Sequence, residues 1–404
     1  MNITVRQTDI LKLITSLDIS PTMYENAQKK YKSIATYLEN HHDLHADMYP
    51  QGSFALGTVV RPAVKDDNAS YDLDFICQVE GTRDDMTAAE LRKSIEEILK
   101  SSDLYGGKLE IYDNCITINY ADVNGIGFSI DVVPATSEND QNKMRLRTKS
   151  QTPQLIDTAI AIPKHNHKNY TWLTNNPRGY REWFETINEP FNSFSSESYR
   201  QIILEQNRSI YASVEDIPNG LNRSALQRVI QILKYHRDVF YSKYKNGDDI
   251  KPISAIINTV VAKITENARP NISVFDLLKF VLDEFAIYAN HQTLTSETFT
   301  LRYGQRNVFQ RENGTWKIEN PANPEDNLAD QWNDNPEIPE KFFLWVKATK
   351  SDLIDALSLN DAEFRAITES AFGSKIVSNN WGHKYNKISP KPIIASSSPK
   401  PWRS

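Results

Sequence analysis

The chain has little cysteine, no excess of positive charge and no long apolar run, and each shortage removes a class of explanation. Two cysteines in 404 residues, Cys77 and Cys115, give neither a disulfide framework nor a zinc cluster. Both lie in apolar, strand-like runs, where cysteine behaves as a small hydrophobe. Histidines are scattered, and His165 and His167, the closest pair, have no cysteine beside them, so structural zinc is not expected. Basic residues number 46 against 52 acidic ones, for a formal charge of −6. A protein that wraps duplex DNA through its phosphates carries a strong basic excess, so any nucleic-acid contact here must be local and small nucleotides suit the balance better. Nothing in the sequence is long and apolar enough to span a bilayer, and the N-terminus shows no basic segment followed by an apolar block. The expectation is a cytoplasmic protein without a membrane partner.

Along the chain the hydrophobic period changes twice. Ile10, Leu11, Ile14 and Leu17 form a helical stripe that Ser20–Pro21 interrupts, and Thr22 reads as the N-cap of a second helix through Leu38. From Ala55 to Val133 the pattern turns strand-like. In Tyr71–Val79, Leu73, Phe75, Cys77 and Val79 alternate with Asp72, Asp74, Ile76 and Gln78, which commits one face to a core. Thr87–Leu99 reads as a helix; Leu109–Tyr112, Ile116–Tyr120 and Gly127–Val133 read as strands, the last ended by Pro134. Ala135 to about Asn192 carries several turn signals and reads as loop. A helical half then begins near Ser198. It contains Ser224–Tyr244, with Ser224 as N-cap and Leu226, Val229, Ile230, Leu233 and Phe240 as buried face, then Ile253–Ile264 and Val274–Tyr288. The Pro- and Ser-rich stretch Ile388–Ser404 reads as a flexible tail. No internal repeat is visible.

Chemistry is concentrated in Gln51-Gly52-Ser53-Phe54-Ala55-Leu56-Gly57-Thr58 and Tyr71-Asp72-Leu73-Asp74-Phe75. Residues two apart on a strand share a face, so Asp72 and Asp74 stand together. Carboxylates that close repel unless cations lie between them, and magnesium, with its preference for oxygen, fits that role. Two such ions roughly 3.5–4 Å apart stabilise both the attacking and the leaving oxygen of a phosphoryl transfer. Gly52-Ser53 reads as the start of a helix, where backbone N–H groups and a hydroxyl make a phosphate seat. In Phe128–Val133, Phe128, Ile130 and Val132 share a face and Asp131 takes the other. A charge in such a strand is costly unless it is salt-bridged or ligating; as a third carboxylate, Asp131 would help remove the proton of an attacking hydroxyl.

Gly-Ser, then Asp-x-Asp on a strand, then a lone Asp on a later strand, resembles the signature of the polymerase β-like nucleotidyltransferases. The match is closer still to bacterial relatives of cyclic GMP-AMP synthase, the cyclic-oligonucleotide synthases of CBASS antiphage systems. It rests on Gln51–Thr58, Asp72–Phe75 and Ser129–Ala135; on Asn176-Pro177-Arg178-Gly179-Tyr180 with Trp183-Phe184; and on Leu233-Lys234-Tyr235-His236-Arg237-Asp238. Lys251-Pro252-Ile253-Ser254, and Trp316–Pro321 with Asp326-Asn327 and Trp332, also carry it. It extends from the N-terminal helices to about Trp345.

The resemblance implies an α+β fold: a polymerase β-like core of mixed sheet with helices, and a C-terminal helical lobe that forms a cleft with it. The corresponding divisions are 1–48 for bracing N-terminal helices, 49–195 for the catalytic core, 196–387 for the lobe and 388–404 for the tail. It implies Asp72, Asp74 and Asp131 as catalytic ligands of two Mg2+ ions, with Mn2+ as the substitute, and Ser53, Lys234 and Ser254 on the triphosphate. Gln51, Gly52 and Thr58 are further nucleotide contacts. The implied substrates are nucleoside triphosphates, ATP among them, and the product a cyclic di- or trinucleotide read by a separate effector, with room for a regulatory partner protein. The zinc-bearing insertion of the animal enzyme has no counterpart, so DNA activation is not expected. A linear transferase acting on RNA, protein or a small molecule, and a non-catalytic nucleotide-binding scaffold, are the rival readings. Asn320–Trp332 reads as structural, with Trp316 and Trp332 as core anchors.

Overall fold

The computed structural model describes residues 2–40, 45–61, 63, 70–123, 126–166, 169–195, 204–205, 221–289, 294–303 and 308–385. The start of the helical half near Ser198, His167 and the tail Ile388–Ser404 lie outside them. Two helices open the chain, α1 (Ile3–Thr15) and α2 (Pro21–Asn40). Ser20 rather than Thr22 starts the second: its hydroxyl accepts from Met23 N (3.3 Å) and its carbonyl from Tyr24 N (2.8 Å). Pro21 therefore occupies the first helical position, where its missing N–H costs nothing.

The sheet consists of β1 (Ala46–Pro50), β2 (Ser70–Thr82), β3 (Leu109–Ile111), β4 (Ile116–Val123), β5 (Ile126–Ser137), β6 (Ile160–Asn166) and β7 (Asn169–Asn175). Its order is β1-β2-β5-β4-β3, with β6 joining the far end of β5 and β7 pairing β6. The β2–β5 pair is parallel and the others are antiparallel. A short turn of helix, α3 (Gly52–Ala55), follows β1. Helix α4 (Ala88–Lys100) is capped by Thr87, whose side chain and Glu90 form a reciprocal capping box. Leu73, Phe75, Cys77 and Val79 are buried on one face of β2 with α2 and α4, and Ile76 is buried on the other.

Two expectations are corrected here. Strand β5 does not stop at Pro134 but runs to Ser137. Pro134 stands beside Cys77 of β2 and, on its other side, between Val132, the last residue paired with β4, and Thr136, the first paired with β6, in the gap between those two ladders. Residues 135–192 are not loop: they hold α5 (Asp140–Lys149), the β6–β7 hairpin and α6 (Pro177–Asn188). Helix α5 buries Leu146 and little else, so it leaves no apolar stripe to read.

The helical lobe is built on α7 (Ala225–Tyr241), α8 (Ser254–Thr265), α9 (Val274–Ala289), α10 (Glu337–Leu353), α11 (Asp361–Phe372) and α12 (Ser374–Trp381). Helix α7 starts at a Ser224/Gln227 capping box and is buried all round, including Arg228, Gln231, Lys234, His236 and Arg237. The two N-terminal helices part company. Helix α2 packs on the sheet, while Ile10, Leu13, Ile14 and Leu17 join the core of the lobe. Arg6, 1% exposed, fastens α1 there through the carbonyls of Leu357 (2.9 Å) and Leu359 (2.6 Å) and the carboxylate of Asp361 (2.5 Å).

Candidate active site

The site begins with register. In the parallel β2–β5 pair Asp74 stands directly beside Asp131, and across the antiparallel β5–β4 pair Asp131 stands beside Thr117. Cross-strand neighbours share a face of the sheet, so Asp74, Asp131 and Thr117 form a row on one side of it. Thr117 Oγ1 donates to Asp131 Oδ1 at 2.6 Å and fixes that carboxylate. Asp72 is two residues upstream in β2, in register with Ser129; its side chain lies outside the described atoms. Among the described residues no further His, Cys, Asp or Glu completes a three-ligand cluster with the two carboxylates.

The Gly52–Ala55 turn lies against this row. Gln51 N donates to Asp74 O at 2.8 Å, which joins the turn to β2. Gly52 has φ +58°, and a Cβ there would lie 2.6 Å from Asp74 Oδ2, so glycine is required both for the backbone and for the space. Three side chains of α7 then take the carbonyls that follow. Gln227 donates to Leu56 O (2.8 Å), Lys234 Nζ to Thr58 O (3.0 Å) and Gln231 to Val59 O (2.6 Å).

These elements bound a cleft of about 650 Å³ between sheet and lobe. Gln51, Gly52, Ser53, Asp74, Asp131, Lys234 and Ser254 line it. Thr58 stands behind the wall: its side chain is fully buried, and it reaches the site through the carbonyl that holds Lys234. Lys234 itself is 4% exposed, and burial, helped by Arg237 one turn away, pushes its ammonium down to about 7, with Asp238 and Asp74 pulling the other way. Arg237 pairs with Asp238 (2.6 Å) and donates to Pro252 O (2.9 Å) and Ser254 Oγ (3.3 Å), so it positions the Ser254 hydroxyl at the start of α8.

The structure adds residues that the sequence reading did not assign to the site. Tyr180, Arg237, Asp238, Lys251, Asn258, Asn320 and Asp326 line the same cleft. Trp316 and Trp332 are core anchors at 8% and 2% exposure, and Asn320 and Asn327 cap the loop as expected; Asn320 and Asp326 also reach the cleft. Spacing offered a hint for two of them: Arg237 follows Lys234 by three residues, and Lys251 precedes Ser254 by three.

Carboxylates on adjacent parallel strands suit divalent cations, which, with lysine and arginine across a nucleotide-sized cleft, would neutralise charge on both sides of a phosphoryl group in transfer. A mixed sheet bearing them, closed over by a helical lobe, is the α+β, polymerase β-like fold expected from the sequence. Comparison with known proteins narrows the class. Residues 4–188 match the family model of the Second Messenger Oligonucleotide or Dinucleotide Synthetase domain. The c-di-GMP synthase of Roseivirga ehrenbergii is 23% identical over 367 residues, which cover 89% of this chain and 81% of that protein. The Bradyrhizobium diazoefficiens CD-NTase CdnG, solved with GTP, superposes with a TM-score of 0.68 at 20% identity, covering 92% of this chain and 97% of its own. CdnC of E. coli MS115-1, solved in a complex with HORMA-deltaN, gives 0.56 at 12% identity, covering 91% and 96%. Residues 4–188 thus resemble a second-messenger synthetase domain, and the chain shares the fold of the CD-NTase structures, CdnG and DncV among them. No helix among the described residues is long and apolar enough to cross a membrane.

Proposed function

We propose that the chain condenses nucleoside triphosphates into a cyclic di- or trinucleotide, with release of pyrophosphate, and that this product is the second messenger of a cytoplasmic CBASS antiphage system, read by a separate effector. The observation that supports this best is the register of Asp74 beside Asp131 on the wall of a cleft that also takes in Ser53, Lys234 and Ser254. The names of the relatives point the same way, and the HORMA complex of the E. coli protein suggests a regulatory partner here too.

In this reading the Gly52–Ala55 turn and the Ser53 hydroxyl receive the triphosphate. The Lys234 ammonium and the Ser254 hydroxyl, the latter held by Arg237, meet it from the lobe. A hydroxyl of the second nucleotide attacks the α-phosphorus, its proton passes to Asp131, and the bond to the pyrophosphate oxygen breaks. The donor set, two carboxylates with Asp72 beside them, fits magnesium, and Asp72, Asp74 and Asp131 would hold it. Bound there, divalent ions supply charge neutralisation to the attacking and leaving oxygens. Repetition of the step within one cleft closes the ring.

The test is incubation of the chain with all four labelled triphosphates, singly and in pairs, followed by phosphatase and thin-layer separation. A cyclic product has no terminal phosphate to lose. The Asp74→Asn/Asp131→Asn variant should keep its fold and release no pyrophosphate; continued release would remove these carboxylates from the chemistry.

A further inference from the structure

One wall of the cleft is not used by the transfer chemistry. Asn258 of α8 is 4% exposed and lines the cleft, and its Oδ1 is buried without a hydrogen-bond partner among the described residues. Asp326 lines the same wall and accepts from Asn320 Nδ2 at 2.9 Å. Burial raises the Asp326 carboxyl, the Asn320 amide opposes this, and Asp330 adds to the rise. Among the described residues no cation pairs with it; Arg145 and Lys149 both go to its neighbour Glu325. Tyr180 links the two groups. Its hydroxyl shares a 2.8 Å hydrogen bond with Thr259 Oγ1, next to Asn258, and the charge of Asp326 adds to the burial that raises its pKa.

A half-buried carboxylate and an orphan amide oxygen are acceptors left for donors that a ligand must bring, because leaving them unmade is costly. We propose that this wall reads guanine: the Asp326 carboxylate accepts from N1–H and from the 2-amino group of the base, and Asn258 Oδ1 accepts the remaining amino hydrogen. Guanine alone among the four bases offers two adjacent donors on that edge. Adenine sets its N1 lone pair beside its amino group, cytosine sets N3 there, and uracil has one N–H between two carbonyls. Each of these opposes an acceptor to the carboxylate. The inference rests on the reading that a nucleoside triphosphate occupies this cleft.

Isothermal titration of the full chain with GTP, ITP and ATP, with calcium in place of magnesium to suppress turnover, tests it. ITP differs from GTP by loss of the 2-amino group. The wild-type chain should bind GTP roughly ten- to hundredfold more tightly than ITP or ATP. Asp326→Asn should erase that preference while binding ATP at least as well as wild type, which separates lost recognition from lost fold. Asn258→Ala should narrow the GTP:ITP gap. Equal wild-type affinity for the three, or a GTP:ITP ratio unchanged in both variants, would overturn the guanine assignment alone. If none of the three bound, the nucleotide reading itself would fall.

Discussion

A single methyl group at Gly52 should stop the chemistry while sparing the fold. At φ +58° an alanine costs about 1–2 kcal/mol in backbone strain. Its Cβ would also lie 2.6 Å from Asp74 Oδ2, closer than atoms tolerate. Relief requires the carboxylate to swing away or the turn to lift from β2, against the 2.8 Å bond from Gln51 N to Asp74 O. Either displaces the Asp74 carboxylate by around an ångström, which for a group that acts in the chemistry, as proposed, commonly costs on the order of a hundredfold in rate. Gly57→Ala is the comparison. It has φ +65°, and its Cβ would meet Gln227 Nε2 at 2.5 Å and Arg223 Nη1 at 2.8 Å, side chains of the lobe rather than a carboxylate. Both variants should melt about 2–4 °C lower, but Gly52→Ala should lose far more pyrophosphate release. If the two lost activity equally, or if Gly52→Ala stayed active, the packing of the turn against Asp74 would have no role in catalysis.

Thr117→Val keeps the strand but removes the 2.6 Å hydrogen bond to Asp131, and should lower kcat about ten- to hundredfold with an unchanged melting temperature. Lys234 carries a pH signature: an unfolded lysine holds its proton to about 10.5, whereas burial lowers this one to about 7. The unfolded chain therefore binds more protons in that window, so wild-type stability should rise with pH across it relative to Lys234→Met, as denaturant titrations would show. Above pH 7, triphosphate binding should return the proton, seen as proton uptake when titrations in buffers of different ionisation enthalpy are compared, and lost in Lys234→Met. Arg6→Ala strands the Leu357 and Leu359 carbonyls and should cost about 2–4 kcal/mol in urea unfolding, without changing the affinity for triphosphate.

What could be read from the sequence was what local geometry governs. The alternation in Tyr71–Val79 and Phe128–Val133 assigned faces to Asp74 and Asp131, and the two-residue repeat of a strand does not depend on its neighbours. The Ser224 cap was legible because a capping box is a contact three residues long. Residues 135–192 were not legible as α5, a hairpin and α6, because α5 has no apolar stripe and β7 is a largely exposed edge strand. Nor could sequence show that Asn258 and Asp326, 68 positions apart, line one wall. Buried polar groups are placed by tertiary packing, and that leaves no periodic trace.

Helix α7 shows why so many of its polar residues are inside. Gln227, Gln231 and Lys234 follow at spacings of four and three, so they lie on one face, and all three serve carbonyls of Leu56–Val59. The segment that carries Gly52 and Ser53 is thereby fixed at both ends, to β2 through Gln51 and to the lobe through α7. Opening the lobes at this seam would break three hydrogen bonds, two of them from buried side chains, each worth about 1 kcal/mol net and more if a partner is left unpaired. The spacing between the carboxylates and Lys234 is therefore set by folding, before any substrate arrives. That order suits a reaction in which positioning and charge neutralisation supply most of the rate, since the groups need not be reorganised during the transfer. The desolvation of Lys234 is the cost of that arrangement, and on the proposed reading a bound triphosphate would offset it.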